Sequence, residues 1–220
     1  MKRLWWYVGF FALLIAGFWF FVFKDQDLSK SSLAVINDNI GAFSFVNQNG
    51  QTISDKDVDG KVYVAEYFFT TCKGICPKMN ANMKRVYDKF KDEKDFMILS
   101  HTCMPETDSV PLLKAYETKM LNGATNTNWN FVTGNKTELY KMARQGYKID
   151  NNKPDSAQNI SDQFIHTQFF ALVDKEQRVR GIYDGLKEDE VQKLFGDIEG
   201  LLKEKIDHKH FMNGFSNNPN

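Results

Sequence analysis

The first part of the chain is a single uninterrupted apolar run. Residues 4–23 have the sequence LWWYVGFFALLIAGFWFFVF and carry no charge. A helix of this length covers about 30 Å, the thickness of the hydrocarbon core of a bilayer. Lys2 and Arg3 precede the run, so the positive-inside bias predicts a cytoplasmic N-terminus at residues 1–3. We therefore expect a single-pass anchor in the inner membrane, with the rest of the chain on the periplasmic side.

A cleaved signal peptide is the alternative interpretation of this run. Such a peptide needs a small-residue cleavage site after the apolar segment. The sequence after Phe23 is KDQDLSKSS, which lacks that pattern. The retained anchor is the better prediction, followed by a polar linker over residues 24–37.

Downstream, the apolar positions switch between strand and helix periods. Residues 42–54 alternate around an Asn-Gly pair, which predicts a hairpin, and residues 61–69 form a continuous run typical of a buried strand. Apolar residues recur at helical spacing after Pro77, and residues 95–99 return to strand character. An N-terminal hairpin and one βαβ unit are predicted.

The same alternation continues to the end of the domain. We predict, in chain order, a helix over residues 109–120, a strand over 129–132, a helix over 135–145 capped by Asn135, a polar loop over 151–161, a hairpin of 168–174 and 178–183, and a closing helix with an apolar stripe from Val191 to Leu202. The pattern predicts an α/β domain over residues 38–206 and a polar tail over 207–220.

Composition excludes one class of partner. Lys+Arg and Asp+Glu both total 28, so the net charge is zero and no basic surplus is available to bind a phosphate backbone. We expect no nucleic acid as a partner.

The hydrophobic share of 42% and charged share of 25% are typical of a folded globular chain. Three cysteines are too few for a disulfide scaffold, and their odd number leaves at least one thiol unpaired within the chain.

Cys72 and Cys76 lie where the predicted buried strand passes into the helix. Residues four apart on a helix have Cβ atoms about 5–6 Å apart, whereas a relaxed disulfide needs about 3.8 Å. A bridge therefore needs a distorted first turn, while two thiolates reach one metal ion easily. The spacing is therefore compatible with a disulfide and with a metal ion bound by both thiolates. The helix N-terminus should also lower the pKa of both thiols.

Two thiolates alone leave a metal site incomplete, so we consider the four histidines. His208 and His210 lie in the polar tail, where a solvated surface role is expected. His101 follows a predicted strand and is expected to be structural. His166 lies between a polar loop and a strand and is a candidate third ligand, although its spacing alone does not decide this.

Three segments together resemble the Sco/SenC family. They are residues 69–77 (FTTCKGICP), residues 100–109 with Pro-Glu-Thr-Asp at their centre, and His166 followed by the hairpin that ends at Tyr183-Asp184-Gly185. The similarity covers residues 38–204. It implies a thioredoxin-like central sheet with flanking helices and an N-terminal hairpin, preceded by one transmembrane helix. It also implies that Cys72, Cys76 and His166 correspond to the copper ligands of that family.

The resemblance implies a copper metallochaperone that delivers copper to the binuclear copper centre of cytochrome c oxidase. Its partners would be the copper-receiving oxidase subunit, a copper donor and the membrane. Thiolates select Cu(I), and the resemblance leaves Cu(II) open as well. Three protein ligands leave a position for a recipient's ligand, whereas structural zinc usually has four.

Two enzymatic alternatives use the same fold. In a thiol–disulfide oxidoreductase, Cys72 would attack and Cys76 would resolve the mixed disulfide, which would reduce the cysteines of the oxidase copper site. A peroxidase would need an arginine-stabilised pocket, and Lys73 is the only cation inside the motif. Copper binding that depends on His166 distinguishes the chaperone from the oxidoreductase.

The chain departs from the family pattern at two places. Members usually have Asp-Pro-Glu where this chain has Cys103-Met104-Pro105-Glu106. We expect Cys103 to be a semi-buried small side chain; an additional ligand or a resolving thiol are the alternatives. Many members also place Asp directly before the histidine, whereas Ile165 takes that place here and Asp162 lies four residues upstream.

Overall fold

The computed structural model describes residues 2–23, 33–124, 127–150, 165 and 167–206. The chain divides into two compact units, residues 1–30 and 31–220. The predicted loop over residues 151–161 and the predicted tail over 207–220 lie outside the described residues.

The first unit contains one helix, α1 (Lys2–Phe23). Its aromatic side chains are largely exposed; Trp5 and Trp6, for example, are 75% and 79% exposed. Among the helices that the structure describes, none is both long and apolar enough to cross a membrane. The single-pass anchor predicted for residues 4–23 is thus not confirmed.

The second unit is an α/β domain with one seven-stranded sheet. Its elements are β1 (Ser44–Asn47), β2 (Thr52–Ser54), β3 (Val62–Phe68), α2 (Cys76–Phe90), β4 (Phe96–Thr102), α3 (Val110–Met120), β5 (Trp129–Thr133), α4 (Lys136–Lys141), β6 (Phe169–Val173), β7 (Val179–Asp184) and α5 (Glu188–Lys203). The strand order is β2-β1-β5-β4-β3-β6-β7.

The pairing of the strands confirms the predicted motifs. β4 pairs in parallel with both β3 and β5, so α2 and α3 are the helices of two βαβ crossovers. The β1–β2 and β6–β7 pairs are antiparallel hairpins. In the first hairpin Gly50 has a φ of 75°, which glycine adopts without strain.

The two central strands are buried along their whole length, as the continuous apolar runs predicted. One face of the sheet packs against α2 and α5, with Met79, Val86 and Ile198 fully buried. The opposite face packs against α4 and the segment after it, with Leu139 and Tyr147 fully buried. Because helices cover both faces, polar groups on β3 and β4 have no direct access to water.

Two predicted boundaries are wrong. β4 continues to Thr102, beyond the predicted end at Leu99, because the parallel pairing with β3 extends to Phe68. The helix predicted over residues 135–145 is α-helical only to Lys141 and continues as a π-helical turn, Met142–Gly146. A Cβ on Gly146 would lie 2.9 Å from the carbonyl oxygen of Ile40, so this turn packs closely on the chain that precedes β1.

Candidate metal centre

Cys72 and Cys76 lie beside the C-terminal end of β3, at the entry to α2. Cys72 is in the turn after the strand, where its backbone N–H donates to the Phe69 carbonyl at 3.2 Å, and its side chain is half-buried. Cys76 is the first residue of α2 and only 5% exposed. Both are free thiols that line one cavity, and the neighbouring Cys72 contributes to raising the pKa of Cys76. The two sulfurs are therefore close enough to serve one metal ion or one disulfide.

The pKa of Cys76 differs from the sequence prediction. Burial raises the pKa of this thiol to about 12, the neighbouring Cys72 thiol adds to the increase, and the Phe69 backbone opposes it. The predicted lowering by the helix N-terminus is wrong for Cys76, because the loss of water outweighs the helix dipole at a buried sulfur. A metal ion that binds here has to displace the thiol proton.

Cys103 lies just after β4, next to the same strand end. Its backbone N–H and its Sγ both contact the Phe68 carbonyl oxygen, at 2.9 and 3.1 Å. Only 2% of the side chain is exposed. Burial raises the pKa of Cys103, and the nearby charges of Cys76 and Cys72 raise it further. The expected semi-buried side chain is thus more buried than predicted, and it lies near the other two cysteines.

One cavity joins the three cysteines to the chain around residue 166. It has a volume of about 240 Å³ and is lined by Tyr67, Phe68, Phe69, Cys72, Lys73, Gly74, Ile75, Cys76, Cys103, Ile165 and Thr167. His166 lies outside the described residues, but the residues on either side of it line this cavity. Thr167 is held by a bond from its hydroxyl to the Ile149 carbonyl, at 2.8 Å.

The structure does not assemble a complete set of metal ligands by itself. Within the described ranges, no group of three or more His, Cys, Asp or Glu side chains is arranged to hold a metal ion. The ligand set of Cys72, Cys76 and His166 stays a prediction, because His166 is outside the described residues. His208 and His210 also lie outside the described residues.

His101 is a structural residue, as predicted. Its side chain is fully buried and stacks on Tyr67 with ring centroids 5.0 Å apart, and Phe45 packs edge-on at 5.5 Å. Burial lowers the pKa of His101 to about 4. The imidazole is therefore neutral at physiological pH and belongs to the core on the α4 side of the sheet.

Asp108 ties the cysteine turn to the segment after β4. Its carboxylate accepts hydrogen bonds from the hydroxyls of Thr70 and Thr102, both at 2.5 Å, and from the Thr70 backbone N–H at 3.2 Å. The residue is 1% exposed. The sequence places Asp108 inside the Pro-Glu-Thr-Asp segment but gives no indication that it fixes the chain two residues before Cys72.

Glu66 is a second buried acid that the sequence analysis missed. Its Oε1 accepts a hydrogen bond from the Ser100 hydroxyl at 2.6 Å, whereas Oε2 has no partner among the described residues. Burial raises the pKa of Glu66 to about 8, and the Ser100 bond opposes that shift. The available signal was a single charged residue inside the otherwise apolar run of β3.

Comparisons with known proteins agree with this architecture. The sequence profile of the SCO1/SenC family matches residues 34–203. The SCO1 protein homolog of Bacillus subtilis is 31% identical over 166 residues, which cover 74% of this chain and 83% of that protein. These matches confirm the resemblance inferred from the cysteine and histidine segments.

Solved structures confirm the predicted thioredoxin-like α/β fold. The structure of BsSco, described as having a disulfide switch and as a member of the Sco family of cytochrome c oxidase assembly proteins, has a TM-score of 0.63 and 29% identity, and covers 79% of this chain and 98% of its own. Arabidopsis thaliana ScoI with copper bound has a TM-score of 0.56 and 22% identity, and covers 74% and 98%. At that identity the second likeness supports the fold alone. On the profile match and the Bacillus subtilis relative, the chain belongs to the SCO1/SenC family.

Proposed function

We propose that this protein is a copper metallochaperone that binds copper through Cys72, Cys76 and His166 and delivers it to the binuclear copper centre of cytochrome c oxidase. The observation that carries the proposal is the cavity at the end of β3. Its lining brings the two cysteines together with the residues on either side of His166. A soft metal suits two thiolates, and copper is bound in a relative of the same fold.

The unequal burial of the two thiols suits transfer of copper. Cys72 is half-buried and next to the open turn, so a ligand of a recipient protein can approach the metal from that side. Cys76 is buried behind it and keeps the metal while one ligand is exchanged. With two thiolates and one imidazole, a coordination position is free for the incoming ligand. Cu(I) is the expected cargo at such a site.

The experiment is a measurement of copper retention by the purified full chain. The protein is loaded with Cu(I) and challenged with a competing Cu(I) chelator, beside the variants His166→Ala and Cys72→Ser. We expect one tightly held copper in the unaltered protein and its loss to the chelator in both variants. The double variant His208→Ala/His210→Ala is the matched control and should retain copper. Retention that is indifferent to His166→Ala contradicts the ligand set.

A second candidate function is thiol–disulfide exchange with the cysteines of the oxidase copper site. The specific observation is that a half-buried Cys72 and a buried Cys76 line the same cavity, which is the arrangement of an attacking and a resolving thiol. The BsSco structure is described with a disulfide switch. This activity should persist in His166→Ala, so the same variant separates the two functions.

We further propose that residues 4–23 anchor the protein in the inner membrane with the α/β domain on the periplasmic side. This proposal rests on the uncharged sequence, on Lys2 and Arg3 before it, and on the exposed indole rings of α1. Alkaline carbonate extraction of membranes tests it. We expect the full chain to remain in the membrane pellet, and its release into the supernatant would contradict an integral anchor.

A further inference from the structure

Two exposed apolar side chains lie at the end of the domain that carries the cysteines. Among the described residues of the α/β domain, the large apolar side chains that stay exposed are Val35, Ile36, Ile75, Leu112 and Ile206. Ile75 directly precedes α2 and is 39% exposed, and Leu112 lies in the first turn of α3 and is 47% exposed. The other three lie before β1 or after α5. Apolar side chains that are exposed close together indicate an interaction surface.

The fold brings the starts of α2 and α3 side by side. Each helix connects two neighbouring parallel strands, so both helices begin at the edge of the sheet where β3 and β4 end. The side-chain amide of Asn80 on α2 donates a hydrogen bond to the Tyr116 hydroxyl on α3, and the Tyr116 ring packs on Phe68 with centroids 5.1 Å apart. Residues four apart lie on the same face of a helix. One turn towards the two N-termini, Cys76 and Leu112 therefore lie on the facing sides of the helices.

A second contact fixes the cysteine turn to the chain before α3. The Asp108 carboxylate accepts hydrogen bonds from the Thr70 hydroxyl at 2.5 Å and from the Thr70 backbone N–H at 3.2 Å. Thr70 is two residues before Cys72, and Asp108 is two residues before the first residue of α3. The half-buried Cys72 and the exposed Ile75 and Leu112 therefore lie at one end of the domain.

The same end of the domain is positively charged. Lys73 lies between the two cysteines and Lys78 lies in the first turn of α2; both are exposed, and neither forms an ion pair within the described part of the chain. The first turns of α2 and α3 contain no acidic residue, whereas that of α5 contains three. Helix N-termini also carry a partial positive charge. The exposed Glu106, in the segment after β4, is paired with Lys136 at 3.4 Å and does not neutralise the two lysines.

We propose that Lys73, Ile75, Pro77, Lys78 and Leu112 form a docking surface, the cysteine-end surface, for the protein that receives the copper. This inference rests on the proposed function and adds the chemistry of the partner. The matching surface of that protein has an apolar centre beside its own metal ligands and carboxylates around that centre. The carboxylates pair with the two lysines, and the apolar side chains lose their contact with water when the proteins bind.

The position and composition of the surface select this occupant. Lys73 and Ile75 also line the cavity of the cysteines, so the surface is continuous with the candidate metal centre. A ligand of a recipient has to reach the metal beside Cys72, and the protein that carries this ligand then covers the residues around it. Two lysines are too few for a nucleic acid or an anionic lipid surface, which attract larger basic clusters. An apolar centre with a charged rim is typical of protein–protein interfaces.

The test measures binding between two metal-free proteins, so it does not depend on copper transfer. The probe is the isolated domain of the oxidase subunit that carries the binuclear copper centre, titrated into the purified full chain in a calorimeter at about 0.02 M and about 0.5 M salt. We expect Lys78→Glu to raise the Kd about tenfold at low salt and less than about threefold at high salt, because salt screens the attraction between exposed charges.

Leu112→Ser tests the apolar part of the surface. The Kd should rise about fivefold at both salt concentrations, because the burial of apolar area does not depend on screening. Lys119→Glu is the matched control for charge, since this exposed lysine lies in the last turn of α3, at the opposite end of the helix. Ile36→Ser is the matched control for apolar area, since Ile36 is 46% exposed and lies before β1. Both controls should leave the Kd within about twofold of the unaltered value.

The outcomes separate this inference from the proposed function. A Kd that is unchanged in Lys78→Glu or in Leu112→Ser overturns the docking surface, and so does a failure of the unaltered protein to bind the probe at low salt. Copper retention is measured separately on the same proteins. Neither Lys78 nor Leu112 lines the cavity, so both variants should retain copper as the unaltered protein does. Loss of copper by the unaltered protein contradicts the proposed function and leaves the binding result standing.

Discussion

The two site cysteines differ in their access to water, and this difference sets what each sulfur can do. Cys72 is half-buried, whereas Cys76 begins α2 beneath the turn and is 5% exposed. Burial raises the pKa of Cys76 to about 12, although it lies at a helix N-terminus. At the residue scale, Cys76 of the metal-free site therefore keeps its proton near neutral pH. Copper binding and disulfide formation both require a proton to leave Cys76.

Asp108 should contribute strongly to stability. Asp108→Ala leaves the buried hydroxyl of Thr102 and the hydroxyl and N–H of Thr70 without their acceptor. We expect the free energy of unfolding to fall by about 2–4 kcal/mol, measured by urea denaturation. Thr107→Ala is the neighbouring control, since this exposed hydroxyl donates to the Met104 carbonyl, and it should change stability by less than about 0.5 kcal/mol. Equal effects of the two variants would contradict the role assigned to Asp108.

His101 should make the protein sensitive to acid. Burial lowers its pKa from 6.5 to about 4, so the unfolded state takes up the proton first as the pH falls. The neutral His101 imidazole makes its full contribution to the free energy of unfolding above pH 6.5. That contribution falls progressively with pH, by about 2 kcal/mol at pH 5 and about 3 kcal/mol below pH 4. Urea denaturation at several pH values measures it.

The control for this prediction is His101→Phe. It keeps an aromatic ring against Tyr67 and Phe45 but removes the titrating group. Carboxyl groups elsewhere contribute equally to both proteins, so the difference between them isolates His101. The difference in stability should shrink or reverse in favour of the variant between pH 7 and pH 4. A difference that stays constant with pH would show that the imidazole does not titrate in this range.

At the scale of elements, local patterns predicted most of the fold. The continuous apolar runs located β3 and β4, and the Asn-Gly pair located the first hairpin. The two wrong boundaries, at the end of β4 and in the helix predicted over residues 135–145, have causes in tertiary packing. β4 extends to Thr102 because the pairing with β3 continues, and the helix begun at Lys136 changes to a π-helical turn where Gly146 packs on Ile40. Neither contact is local in sequence.

Replacing the exposed Gly196 of helix α5 by alanine should stabilise the protein. Gly196 lies in the middle of this helix, and a Cβ built there meets no other atom within 4 Å. Gly196→Ala should raise the free energy of unfolding by about 0.5–1 kcal/mol, because glycine loses more backbone entropy in a helix than alanine. The opposite sign is expected for Gly50→Ala, whose φ of 75° is strained for alanine. Denaturation curves that show the same sign for both variants would contradict this argument.

At the scale of the whole molecule, the candidate centre joins segments that are distant in sequence. The cavity brings together the end of β3, the start of α2, Cys103 after β4 and the residues on either side of His166. The sequence predicted Cys72 and Cys76 from their position between a strand and a helix. It could not predict the hydrogen bonds of Glu66 or Asp108, because these depend on which buried atoms the parallel strands bring together.

Copper should therefore stabilise the whole domain rather than a local turn. A ligand that binds only the folded state stabilises it by about 2.7 kcal/mol when its free concentration is a hundred times its Kd. We expect Cu(I), buffered at that level under reducing conditions, to raise the unfolding free energy of the full chain by about this amount, and by much less in Cys72→Ser and His166→Ala. The double variant His208→Ala/His210→Ala should behave as the unaltered protein does. If Cu(I) stabilises Cys72→Ser equally, the metal binds at another site, because the proposed centre should bind copper much more weakly once the Cys72 sulfur is removed.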